Sequence, residues 1–176
     1  MSSSIEGLIY RMVSPEEFQI AHDLYQACVR RMHERGIDQW DEYYPSRQQV
    51  LLDIATNTLY GVYHQDQLWG LVVLNEIQDK AYADLEWQTD AEKVLVIHRL
   101  AVHPSRQGKG IGQVLMEFAE RKALQNQYEA IRLDGFSENK ALHTFYLGLG
   151  YTHIGDIHLE GQRAQAYHCY EKLISV

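Results

Sequence analysis

Seven residues, Arg106-Gln107-Gly108-Lys109-Gly110-Ile111-Gly112, place three glycines and two cations between an apolar stretch and an amphipathic one. Glycine lets a backbone approach a ligand closely and take positive φ. The N–H groups that open a helix, together with its dipole, form an anion site suited to phosphate. A pyrophosphate is the natural guest of such a turn, and Arg106 and Lys109 add positive charge. A magnesium-binding Walker loop is excluded, because no four-residue gap separates glycines ahead of Gly-Lys and no Ser or Thr follows Lys109. A dinucleotide-binding fingerprint is partly met by Gly108 and Gly110, with Asp134 after the next strand. Gln113, however, stands where a third glycine or alanine belongs, and His103 to Gln107 separate strand from first glycine. An ordinary tight strand–helix turn is the structural alternative.

The elements around this turn follow from periodicity and caps. Ile5–Val13 reads as a first strand. Ser14-Pro15-Glu16-Glu17 opens a helix with a hydroxyl cap, an early proline and acids in the first turn. Phe18, Ala21, Tyr25, Cys28 and Met32 recur at helical spacing until Gly36. Ser46 opens a second helix with Val50, Leu51 and Ile54 on one face. Leu59–His64 and Gln67–Ile77 form a hairpin, and Tyr82–Trp87 extends the sheet. Val94–Val102 is a nearly continuous apolar strand. A helix spans Gly110 to Asn126, a strand Glu129–Asp134, and Ser137 caps a helix that ends at Leu149 before Gly150. Tyr151–Glu160 and Ala164–Leu173 make a last hairpin across Gly161. This order implies a mixed α/β fold, and residues 1–176 read as one domain with residues 1–4 disordered.

Composition narrows the function. Apolar residues at 45% describe a globular chain. A net charge of −8 speaks against nucleic acid, whose recognition needs clustered Lys and Arg. Such a charge keeps a protein soluble and weakly favours a cationic partner. No apolar run approaches the roughly 20 residues of a membrane span, and no secretory signal opens the sequence. Cys28 and Cys169 are too few for a disulfide framework, which fits a reducing cytoplasm. His153, His158 and His168 lie scattered over the last hairpin without metal-ligand spacing, so no metal is expected.

The segment Leu100 to Gly112 resembles the strand and pyrophosphate loop of the GNAT superfamily of N-acetyltransferases. The family pattern of Gln or Arg, two residues, Gly, one residue, then Gly or Ala is filled by Gln107, Gly110 and Gly112. A second element matches at Asn139, Tyr146, Gly150 and Tyr151, where the family shows Asn, Tyr, Gly and an aromatic at the same spacing. The resemblance covers Val94 to Tyr151. It implies a mostly antiparallel twisted sheet of about seven strands flanked by about four helices, with a V-shaped split between parallel central strands Val94–Val102 and Glu129–Asp134. Acetyl-CoA would be the co-substrate. Backbone groups of Leu100, Ala101 and Val102 would bind its pantetheine arm. Gln107, Gly108, Lys109, Gly110, Ile111 and Gly112 would hold the pyrophosphate, and Asn139 would contact the pantetheine. Dimerisation is common in the family, so the resemblance also brings in a homodimer.

Acetyl transfer to a primary amine needs a base for the amine, a donor to the thioester oxygen such as a backbone N–H beside a strand bulge, and an acid for the leaving thiolate. Tyr146 matches the family's catalytic tyrosine, and a phenol is protonated at neutral pH. The same residue could instead pack the core with Phe145 and Leu149. His98 lies beside the expected acetyl position and titrates near neutrality. A satisfied core histidine is the other account of it. Glu76, Glu86 and Asp134 are further candidates for the base or for binding a cationic acceptor. Arg99, a charge on an apolar strand, calls for a carboxylate partner or an open cleft to face. Trp40, Tyr43 and Tyr44, with neighbouring acids, either receive an amine or anchor their loop. The alternative function is a catalytically silent domain that binds acyl-CoA as a sensor or interaction module. A dinucleotide-binding oxidoreductase domain is a third.

Overall fold

The computed structural model describes residues 6–174. The expected disorder of residues 1–4 and a strand start at Ile5 fall outside them. The elements are β1 (Ile9–Met12), α1 (Phe18–Glu34), α2 (Arg47–Ala55), β2 (Leu59–His64), β3 (Gln67–Asn75) and β4 (Val94–Val102). They continue with α3 (Ile111–Gln125), β5 (Ala130–Phe136), α4 (Lys140–Gly148), β6 (Thr152–Ile157) and β7 (Tyr167–Leu173). Short 3₁₀ turns stand at Pro15–Glu17, Lys80–Asp84 and Pro104–Arg106. The strand order is β1-β2-β3-β4-β5-β7-β6. β4 and β5 pair in parallel, whereas β1–β2, β2–β3, β5–β7 and β6–β7 are antiparallel. This is the mixed, mostly antiparallel seven-stranded sheet with four helices that the sequence implies. Among the described residues, no helix is long and apolar enough to cross a membrane.

The described residues form two compact units: those up to Leu74 with Arg99–Phe118, and Asn75–His98 with those from Ala119. In the first, α1 starts where Ser14 donates its N–H to the Glu17 carboxylate at 3.0 Å. Its face of Ala21, Leu24, Tyr25, Cys28 and Val29 packs with Val50 and Ile54 of α2 and with Leu59, Leu71, Val73 and Ala101. Each fully buried aliphatic side chain, such as Leu71, contributes roughly 1.5–3 kcal/mol. The expected inner face of α2 is corrected at one position. Leu51 is 48% exposed, and Asp53 turns inward at 3%.

In the second unit, β5 lies beside Val94–Ile97 of β4 and beside β7. Both faces of this part of β4 are covered, so all four of its residues are buried. Arg132 and Glu171 form a buried ion pair at 2.9 Å. Arg132 also donates to Gln78 and to the Thr89 carbonyl, and Glu171 accepts the Gln88 N–H. These bonds hold the 76–93 segment, which is not the expected extra strand. Asp79 caps a 3₁₀ turn there, and Tyr82 donates from its hydroxyl to Asp134 at 2.7 Å. β3 stops at Asn75 rather than Ile77, because the Asn75 Oδ1 accepts the Ile77 N–H and turns the chain. α4 begins after Asn139, not Ser137, since β5 continues to Phe136.

Candidate active site

The parallel ladder between β4 and β5 runs from Val94↔Ala130 to Ile97↔Leu133, and both strands continue past its end. Two residues on, Arg99 adopts φ of 48° within β4. For a side chain with a Cβ this conformation costs about 1–2 kcal/mol, so neighbours must impose it. The Tyr25 hydroxyl donates to the Arg99 carbonyl at 3.0 Å. The guanidinium grips Asp53 with two bonds, at 2.9 and 2.7 Å, and donates to the Tyr44 hydroxyl at 3.1 Å. Burial opposes its charge, but Tyr44 and Asp53 more than offset that and raise its pKa above the ordinary value. Of the two settings expected for Arg99, the structure has the carboxylate partner, Asp53.

The bend at Arg99 resets the strand's alternation. His103 donates its N–H to the Trp69 carbonyl of β3, and the Ala101 carbonyl lies against Gly70. Leu100 and Val102 consequently turn their backbone groups to the side away from β3. The Val102 carbonyl already accepts from the Cys28 thiol at 3.2 Å and from Gln107 Nε2 at 3.1 Å.

Beyond β4, His103 caps the Pro104–Arg106 turn, and Gly108 and Gly110 take φ of 71° and 82°. These left-handed steps let the chain enter α3 at Ile111 in a tight reversal. Helix geometry leaves the N–H groups of the first turn of α3 pointing outward past the glycines. Both cations border this turn with side chains engaged: Arg106 lies over the Trp69 ring at 4.2 Å, and Lys109 donates to the Ser105 carbonyl at 3.1 Å.

In the second unit, Tyr146 is 3% exposed, its ring 5.2 Å from that of Tyr170. Burial first, then the charges of Asp134 and Tyr170, push its phenol above the ordinary value, so it stays protonated. Gly135 allows α4 to lie this close to β5, since a Cβ there would sit 3.1 Å from Leu142 and 3.4 Å from Tyr146. Asn139 caps α4, its Oδ1 accepting the Leu142 N–H at 3.2 Å.

His98 is half-buried and lies 2.9 Å through Nε2 from the Asn75 Oδ1. That oxygen also accepts the Ile77 N–H, which fixes the orientation of the amide. An oxygen can only accept, so His98 donates to it from Nε2. Among the other candidates, Glu76 accepts from the Tyr128 hydroxyl at 2.7 Å, Asp134 from Tyr82, and Glu86 is exposed. In the 36–45 loop, Trp40 is buried against Tyr25 and Tyr44 holds Arg99, whereas Tyr43 is 75% exposed.

The first unit thus gathers Leu100 to Val102 and Gln107 to Gly112, and the second holds His98, Asn139 and Tyr146. The parts played by Asp53, Tyr25 and Asn75 had no signal in residue type or spacing.

Residues 18–151 match the family model described as "Acetyltransferase (GNAT) family". The chain belongs to the GNAT family of acetyltransferases. YesJ of Bacillus subtilis (strain 168), an uncharacterized N-acetyltransferase, is 29% identical over 168 residues, covering 92% of this chain and 89% of its own. An acetyltransferase of the GNAT family from Streptococcus agalactiae has the same fold, with a TM-score of 0.82 at 21% identity over 97% of this chain and 98% of its own. The PaiA N-acetyltransferase of Thermoplasma acidophilum, solved in complex with coenzyme A, gives 0.68 at 18% identity over 94% and 98%. Within the GNAT family, the dinucleotide-binding reading of the glycine turn has no support.

Proposed function

We propose that this protein is an acetyl-CoA-dependent N-acetyltransferase in which a primary amine attacks the thioester directly. The observation that carries the reading is β4: it bends at Arg99, turns backbone groups of Leu100 and Val102 away from β3, and runs into the Gly108–Gly110 turn at the start of α3. Leu100 and Val102 would bind the pantetheine as an added strand does, with Ala101 between them held on β3. Gln107 to Gly112 would bind the pyrophosphate, and Asn139 would fix the start of α4 beside the cofactor arm. The neighbour solved with coenzyme A supports this assignment of ligand. The setting would be cytoplasmic, in keeping with unpaired Cys28 and Cys169.

The amine nitrogen bonds to the carbonyl carbon and the C–S bond breaks. The His98 imidazole receives the amine proton, directly or through water, while Asn75 holds its ring in place. A backbone N–H at the bend after Arg99 stabilises the oxyanion. Tyr146 supplies the proton that converts the leaving thiolate to the thiol. A screen of amines with acetyl-CoA, read by thiol release, tests the reading. Coenzyme A binding with no turnover of any amine would favour the silent acyl-CoA sensor.

Two substitutions test the parts. Gly110→Ala forces a Cβ into a left-handed backbone, at about 1–2 kcal/mol. The affinity for coenzyme A in calorimetry should fall roughly ten-fold while the fold persists. For the base, Asn75→Asp places a carboxylate against His98 and stabilises the imidazolium. A base must be neutral to act, so the acidic limb of the kcat/KM profile should move to higher pH. His98→Ala should abolish that limb. A limb unchanged in both variants would assign the base elsewhere.

A further inference from the structure

We infer that His153, Asp156 and His168 form a binding site for a Zn²⁺-class divalent cation on the β6–β7 hairpin. From sequence these residues are scattered, because His153 and Asp156 are three apart and a regular strand would place them on opposite faces. The register shows why they meet. His153 pairs with Tyr170, whereas Gly155 pairs with Cys169, so Ile154 is an extra residue on β6. Such a bulge shifts the alternation by one and re-aims the side chains that follow. His153 and Asp156 then share the face of Tyr170 and His168, with Asp156 directly opposite His168.

Both imidazoles converge on one carboxylate oxygen. His153 Nε2 is 2.8 Å and His168 Nδ1 2.6 Å from Asp156 Oδ1, and the three donor atoms lie within 4.8 Å of one another. Zinc bonds of about 2.0–2.2 Å place tetrahedral donors roughly 3.3 Å apart, between these separations. Small side-chain rotations would admit the ion, each imidazole offering its lone pair with its N–H on the other ring nitrogen. Two nitrogens and one carboxylate suit zinc or its cobalt analogue, not magnesium. The side chains of His153, Asp156 and His168 are 35%, 48% and 21% exposed, which leaves room for a water as fourth ligand. His143 flanks the set, its ring 5.6 and 5.1 Å from those of His153 and His168, and is itself held by the Tyr170 hydroxyl at 2.7 Å. The bound ion would tie the edge strand β6 to β7.

The test uses the untagged full chain titrated with Co²⁺, read by its visible absorption and reversed with Zn²⁺. The expected result is one ion per chain, displaced by Zn²⁺ and indifferent to excess Mg²⁺. Asp156→Asn and His168→Ala should each weaken binding at least about ten-fold, a loss that even outer-shell changes produce at metal sites. His158→Ala, whose ring bonds the Ala164 carbonyl, should leave it unchanged. Zn²⁺ should raise the Tm of the wild type and not that of Asp156→Asn, with circular dichroism confirming that both are folded. No cobalt band, competition by Mg²⁺, or binding that survives both substitutions would overturn the assignment.

Discussion

Tyr146→Phe should lower kcat for acetyl transfer by about 10²–10⁴-fold, the contribution usual for a positioned proton donor. The ring is buried beside Tyr170, Phe145 and Tyr151, and phenylalanine keeps that packing. Stability and affinity for acetyl-CoA should therefore change little, so the loss falls on the chemical step rather than on binding. The wild-type phenol is held protonated by its burial. It should not limit the rate at neutral pH, and any alkaline fall set by it lies above the ordinary phenol range. Thiol release under saturating acetyl-CoA measures the effect. Undiminished turnover in this variant would return Tyr146 to a packing role.

Asp53→Ala should cost about 3–5 kcal/mol, because it leaves the Arg99 guanidinium buried without its carboxylate. The pair has side-chain exposures of only 11% and 4%. For a chain of this size the Tm should drop by about 10 °C. The variant Asp53→Leu combined with Arg99→Leu should regain most of that stability, since apolar pairs of similar volume replace buried ion pairs at little cost. Catalysis should not return with it. Arg99 holds its left-handed backbone partly through this grip, and the direction of the strand from Leu100 to Val102 depends on the bend. A double variant with full activity would show that Tyr25, through the Arg99 carbonyl, suffices to set the strand.

β4 was legible to the residue, because its first half, Val94–Ile97, is covered on both faces and has to be apolar. The glycine turn and the Asn139-to-Tyr151 spacing were legible because special φ and close packing demand particular residue types. Asp53 was not, since an aspartate on an amphipathic helix reads as solvent-facing until its cation is located. Tyr82–Trp87 looked like a strand from its aromatic residues, yet Asp79 and Asp134 supply hydrogen bonds that favour a 3₁₀ turn. The start of α4 was misplaced because Ser137 and Asn139 are equally good caps, and only the length of β5 decides between them. The convergence of His153 with His168 was hidden, as nothing in the composition around Ile154 announces an inserted residue.

The thiol that donates to Val102 has a practical corollary. Burial pushes Cys28 up to about 12 and Cys169 higher still, so neither presents a nucleophilic sulfur while the protein is folded. A disulfide reagent that counts liberated coenzyme A will register no background from the enzyme. One cysteine falls in each compact unit. In native buffer the modification rate of Cys28 therefore clocks the opening of the first unit and that of Cys169 the opening of the second, and mass spectrometry of the modified peptides would tell whether the two halves breathe together or apart.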